Sequence, residues 1–267
     1  MFTFLLKRFY QAVIVMFVIS LVAFSIQDNL GDPLRELVGQ SVSESVRQEL
    51  RDKMGLNDPF LVKYSRFLKN AVHGDLGTSY FFKRPALEVI LDKLVATLEL
   101  VFAAALIIVV VSIPLGVYSA IRPRSFLTKL IMAVSSIGIS IPVFLTAIML
   151  MYLFSIQLGW LPAYGRGETY NLLGWESGFF TWDGILHLVL PAVSLSSIML
   201  PLFIRLVRSE MLEQLSSEYV KFARAKGLDN NKVYYQHALK NTMLPVITVG
   251  GVQIGTMVAY TLSLIHI

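Results

Sequence analysis

Apolar residues gather along this chain into five long uncharged runs: Phe9–Ile26, Leu100–Ile121, Leu130–Leu158, Ile185–Ile204 and Thr242–Tyr260. A helix crosses the hydrocarbon of a bilayer with about 20 predominantly apolar residues. Each run reaches or nearly reaches that length, so the pattern predicts an all-α polytopic membrane protein with five spans. The third run exceeds a perpendicular crossing, which predicts a tilt or a kink at Pro142. Pro114, Pro191, Pro201 and Pro245 also fall inside runs. Within a bundle, neighbouring helices satisfy the carbonyls a proline frees, so these read as accommodated kinks, with mobile hinges as the other reading. The first run follows Lys7 and Arg8, and Ala23-Phe24-Ser25 loosely matches a cleavage site. Its apolar core outruns the roughly 7–15 residues of a signal peptide, so it is read as a retained span.

Composition agrees with the pattern. Of 267 residues, 55% are hydrophobic and only 15% charged, against about 25% charged in an ordinary soluble domain. There is no cysteine, which excludes disulfides and thiolate metal sites. A net charge of +5 suggests nucleic acid in a soluble protein, but in a membrane protein the placement of charge matters more. With the N-terminus inside, Lys7, Arg8, Arg122, Arg124 and Lys129 lie in the cytoplasm. So does the loop with Arg205, Arg208, Lys221, Arg224, Lys226, Lys232 and Lys240. The outer loop 159–184 holds Arg166 against Glu168, Glu176 and Asp183. That asymmetry satisfies the positive-inside rule, which the long segment 27–99 escapes by its length.

Segment 27–99 carries its own helical pattern. Ser41 or Ser43 can cap a helix through SVRQELRDKM, stopped by Gly55, and Asn57 or Asp58 can start a second through PFLVKYSRFLKNAV. HGDLGTSY reads as turns, and Pro85 suits the first position of a helix, ALEVILDKL, that feeds the second span. The result is a small outer helical cap, resting on a partner, on the membrane surface or on its own bundle.

No catalytic constellation is present. There is no Gly-Lys pair for a phosphate loop, no H-E-x-x-H and no G-x-S-x-G, and His73, His187, His237 and His266 are scattered. Ion-coupled carriers usually hide ionisable groups within their spans, whereas here Glu99 lies only at the edge of one. Ser135, Ser136, Ser140, Thr146 and Gln253 are polar candidates for a pathway, or simply polar contacts between helices. Energy therefore comes from outside the spans.

The stretch EYVKFARAKGLDNNKVYYQHALKN, residues 218–241, answers how. Ser217 can cap a helix with Glu218 in its first turn and Arg224 and Lys226 at its end, Gly227 fits a left-handed closing residue, and Asp229 can cap the next helix. Leu215, Tyr219, Phe222 and Ala223 share a face at helical spacing. Such a helix fits a groove on another protein, or rests on anionic headgroups.

EYVKFARAKGL with HALKN and LPVIT resembles the cytoplasmic loop of ATP-binding-cassette importer permeases of the peptide/nickel subfamily. MFTFLLKRFYQAVIV, GDPLRELVG, MGLNDPFLVKYSRFL, GDLGTSY, ATLEL, IPLGVYSA, SIPVF, LGWLPAYGRG and HLVLPAVSLS are similar to that subfamily's wording, in the same order. The broader importer signature has Glu-Ala-Ala ahead of its glycine, where Lys221-Phe222-Ala223 stand here, similar to the subfamily's own variant. The resemblance implies a type I importer permease bundle in a prokaryotic inner membrane. An N-terminal span and cap would occupy 1–95, and a core domain 96–261 would carry the coupling loop 205–241. Implied partners are a second permease, two ATP-binding subunits that hold ATP and magnesium, and an extracytoplasmic binding protein, with no cofactor in this chain and no nucleic acid. Tyr219, Phe222, Ala223, Arg224, Ala225, Lys226 and Gly227 would dock the ATPase, and Ser136, Ser140 and Gln253 would line the path. Peptides, nickel complexes and glutathione-like molecules are the implied cargo classes.

The final residues 262–267, LSLIHI, break the resemblance after VQIGTMVAY. CTG-TCT-CTT-ATA-CAC-ATC encodes them and resembles a transposon end used in preparing sequencing libraries. They are read as an adapter scar, with a sixth span expected in the natural chain; the alternative is the apolar end of the fifth span.

Overall fold

The computed structural model describes residues 2–29, 48–49, 51–52, 55–79, 82–172 and 175–264, and the chain divides into two compact units, Met1–Asp92 and Lys93–Ile267. In the first, α1 (Phe2–Asn29) leaves most of its apolar side chains exposed, Phe9, Met16 and Ile19 among them, as a lipid-facing helix does. Helix α2 (Phe60–Val72) rests on it through aromatic rings. Phe24 meets Phe60 at 5.7 Å and Phe67 at 5.5 Å, and the buried Tyr64 meets Phe17 edge-on at 5.9 Å. The Tyr64 hydroxyl shares a 2.8 Å hydrogen bond with Ser20 Oγ, so the ring's polar tip is not stranded.

The start of α2 differs from the sequence expectation. Its N-cap is Pro59, with no side-chain cap, because the carboxylate of Asp58 is taken by Arg66 and Asn57 Nδ2 donates to Asp52 Oδ1 at 2.7 Å. Gly55 does adopt a left-handed φ of +62°, and Gly74 and Gly77 do the same in the turns that follow α2. Pro85 stands one residue ahead of α3 (Ala86–Ile121) rather than inside it. The expected helix over SVRQELRDKM lies mostly outside the described residues, of which 48–49 and 51–52 are helical.

The second unit holds most of α3, then α4 (Phe126–Ser140), α5 (Val143–Leu150) with a π-helical continuation Met151–Gln157, and a short hairpin of β1 (Tyr170–Leu172) and β2 (Trp175–Ser177). Helices α6 (Trp182–Ser216), α7 (Glu218–Ala225) and α8 (Leu239–Leu264) follow, with a π-helical turn Lys232–Ala238 leading into α8. Pro114, Pro191, Pro201 and Pro245 all sit in continuous helices. Pro142 does not. Ile141 before it is extended at φ −92°, ψ 123°, the conformation a following proline ring favours, and the apolar helices on either side bend by 108°. The third run is therefore a sharply broken pair instead of one tilted rod. Among the described residues four helices are long and apolar enough to span, or five if the bent pair counts as one.

Helix α6 is the hub of this unit. Close approach against it is set by glycines on two other helices, and a third glycine lies at ordinary contact distance. A Cβ on Gly116 of α3 would stand 2.6 Å from Val207 Cβ, one on Gly138 of α4 3.3 Å from Pro201, and one on Gly250 of α8 3.8 Å from Phe203. Lipid tails are as apolar as leucine, so helices in a bilayer gain from tight packing more than from hydrophobicity, and small residues permit it. Ala104, Leu195, Val207, Met211 and Val220 lie in the buried cluster around this hub.

The N-terminal end of α6 is tied down by polar contacts. Thr181 caps it, its hydroxyl accepting from Gly184 N at 3.0 Å. Glu99 of α3 is 8% exposed, accepts from Gly178 N at 3.1 Å and pairs with Arg166 at 3.2 Å. Arg166 also donates to the carbonyl of Glu176. The hairpin loop is thus clasped to α3 through one carboxylate.

Candidate functional site

Beyond the other end of α6 comes the loop that the sequence singled out. Ser217 occupies the N-cap of α7 with extended backbone, but its hydroxyl donates back to Gln214 O and leaves the new helix uncapped by a side chain. The predicted side-chain cap is absent because a serine hydroxyl at such a corner has a competing carbonyl within reach. Glu218 lies in the first turn and pairs with Lys221 at 2.8 Å.

The C-terminal end matches expectation closely. Lys226 is the C-cap, and Gly227 has φ +78°. Gly227 N donates to Arg224 O at 2.9 Å, and Leu228 N donates to Ala223 O at 3.3 Å. Those two reversed bonds are the Schellman closure, which satisfies carbonyls the helix would otherwise strand. Asp229 then takes Asn231 N on its carboxylate at 3.0 Å and turns the chain into the π-helical segment.

The faces of α7 are arranged otherwise than the apolar stripe suggested. Val220 and Ala223 point inward at 0% and 5% exposure, joining Met211, Val233 and Ala238 in the buried cluster, with Leu215 packed against it. Tyr219 and Phe222 point outward, Phe222 at 62% exposure. Leu215 and Ala223 therefore leave the predicted shared face, because an eight-residue helix with apolar residues on two sides does not reveal which side its own protein covers. Lys226 holds its ammonium 4.5 Å above the Phe222 ring, and the Tyr219 hydroxyl donates to Gln214 Oε1 at 2.7 Å. Arg224, Ala225 and Gly227 are exposed. The outward surface is an aromatic pair with a basic tip on a rooted base.

The polar pathway candidates are dispersed. Ser136 and Ser140 are one turn apart on α4, both exposed, with Ser136 Oγ donating to Met132 O at 2.8 Å and accepting from Arg205 at 2.8 Å. Gln253 is half-buried on α8. The two places lie on separate helices, α4 and α8. Ser135 is buried. In the sequence, the Glu99–Arg166 pair is signalled only by a lone acid at the edge of a span. Among the described residues no group of three or more His, Asp or Glu side chains could hold a metal ion.

Comparison with known proteins adds the following. Residues 112–266 match the family described as binding-protein-dependent transport system inner membrane component, and residues 1–101 match its N-terminal companion. The chain is 34% identical over 270 residues to a dipeptide transport system permease protein of Alkalihalophilus pseudofirmus, covering 96% of this chain and 81% of that protein. It is 36% identical over 260 residues to an oligopeptide transport system permease protein of Bacillus subtilis, covering 97% and 80%. It is 33% identical over 277 residues to a dipeptide transport system permease protein of Escherichia coli strain K12, covering 97% and 81%.

Proposed function

Because the chain belongs to the family of binding-protein-dependent transport inner membrane components, we propose that it carries peptides or related small solutes as the permease subunit of an ATP-binding-cassette importer. Two ATP-binding subunits hydrolyse ATP on its inner side, a second permease completes the path, and an extracytoplasmic binding protein delivers the cargo. This chain breaks no bond and needs no cofactor of its own. The N-terminus lies in the cytoplasm.

The observation that carries the reading is the two-faced α7. Its inward residues, Val220 and Ala223, fuse it to the α6–α8 core, while Tyr219, Phe222 and Lys226 stay free for another surface. A helix built this way passes displacement from a docked partner directly to the spans. When the ATPase dimer closes on ATP, the docked helices of both permeases draw together and the spans rock outward. The rival, a self-sufficient carrier or channel, fits less well. Glu99, the acid at the edge of a span, is engaged by Arg166 and Gly178 N and is not available for ion coupling.

Reconstitution decides between them. Proteoliposomes holding this chain, its partner permease and the ATP-binding subunits should take up a labelled dipeptide only with the binding protein and ATP. Uptake by this chain alone, driven by an ion gradient, would overturn the importer reading.

A further inference from the structure

At the end of the second unit that carries α7, helices α4 and α6 bring three basic residues to one seam. Arg205 Nη2 donates to Ser136 Oγ at 2.8 Å, and Arg208 Nη1 approaches Met132 Sδ at 3.6 Å. Lys129 stands one turn before Met132 on α4 and is exposed. Helix α4 contains no acidic residue, and among the described residues no carboxylate pairs with Lys129, Arg205 or Arg208. Arg208 Nε is buried without a partner as well.

Three cations without a counter-charge call for an anion. Depth along the helix indicates where it comes from. Arg205 follows Trp182, the first residue of α6, by 23 positions, or about 35 Å of helix at 1.5 Å per residue. The hydrocarbon core is about 30 Å thick, so Arg205 falls at headgroup depth on the α7 side. α4 runs antiparallel to α6, with Gly138 against Pro201, so on the hydrocarbon side of the Arg205–Ser136 contact Ile137 of α4 and Leu202 of α6 are exposed. A polar head and an apolar tail would each find a matching surface.

We propose that Lys129, Arg205 and Arg208 bind the phosphate of an anionic phospholipid headgroup, with its acyl chains starting along Ile137 and Leu202. Guanidinium groups present paired donors that match phosphate oxygens, and basic pockets between membrane helices on the cytoplasmic side recognise such heads. Ser136 holds Arg205 toward the seam. The site requires only that the chain lie in a bilayer, so it stands or falls separately from peptide transport.

Native mass spectrometry of the full chain in detergent, titrated with phosphatidylglycerol or with phosphatidylcholine of the same acyl chains, tests this. The parent protein should retain phosphatidylglycerol selectively. Arg205→Gln and Lys129→Gln should each weaken that retention about fivefold, the contribution of one basic residue near an anionic head. Arg205→Lys should keep most of it, and Arg124→Gln, an exposed arginine of the same end outside the seam, should change nothing. Equal losses for Arg205→Gln and Arg124→Gln would show diffuse attraction and overturn the site. Equal retention of phosphatidylcholine, or displacement of the lipid by free dialanine, would overturn the choice of a lipid phosphate.

Discussion

Phe222 and Ala223 are neighbours in sequence, yet their replacement should fail in opposite ways. Phe222 is 62% exposed, and its described ring contact is the Lys226 ammonium at 4.5 Å. Removing the ring in Phe222→Ala should cost the fold at most about 1 kcal/mol, the scale of an exposed cation–π contact. If the ring anchors the ATP-binding subunit, its loss costs about 2 kcal/mol or more of binding, as buried aromatic anchors do. At 1.4 kcal/mol per tenfold, that is about 30-fold weaker association. Ala223→Trp is the mirror case. The methyl is 5% exposed and belongs to a cluster in which Val220 and Val233 are 0% exposed. An indole cannot fit there without displacing them, and overpacking of this kind costs about 1–3 kcal/mol of stability. The assay pairs co-purification of the ATP-binding subunits with thermal unfolding in the same detergent. Phe222→Ala should melt like the parent and lose its partner; Ala223→Trp should melt early whether or not the partner is present. A Phe222→Ala protein that holds the ATP-binding subunits at parental affinity would refute the outward docking face.

Three further outcomes follow from other contacts. Gly116→Ala should lower stability by about 1–3 kcal/mol, since its methyl would lie 2.6 Å from Val207 Cβ, and Val207→Ala should restore part of it; parental unfolding of Gly116→Ala would show that α3 and α6 do not meet so closely. Glu99→Ala should free the Gly178 amide, leave Arg166 only the Glu176 carbonyl and expose loop 159–181 to added protease, whereas unchanged digestion would mean the clasp is held elsewhere. A reporter fused after Arg166 should be reached from outside and one after Asp229 only from the cytoplasm, and the reverse pattern would overturn the orientation.

What the sequence disclosed was local or periodic. Gly227 was legible because a left-handed closure is a requirement of one residue's backbone, independent of everything packed around it. The position of the break at Pro142 was legible for the same reason, but its 108° angle depends on how α4 and α5 settle against α6. The Ser217 side chain was misread because two acceptable partners lay within reach and the choice between them is made by the turn. The two sides of α7 were merged because Tyr219 and Phe222 are apolar enough to be buried, and only the placement of Val220 and Ala223 shows that the inside was already occupied. Glu99 and Arg166 are 67 residues apart, and no pattern in one segment announces a partner in another.

Helix α6 runs without interruption for 35 residues from the Thr181 cap to Ser216, through both Pro191 and Pro201. At 1.5 Å per residue it is a beam about 52 Å long, and a rotation of roughly 5° about its middle moves each end by about 2 Å. One end is fastened to the loop clasped by Glu99, and the other leads straight into α7. Val207, in van der Waals range of Gly116, lies far toward the α7 end, so the two arms of such a lever are unequal. A small stroke at α7 would be magnified at loop 159–181. Geared in this direction, the helix would turn a short push at its α7 end into a wider displacement at the loop that Glu99 clasps.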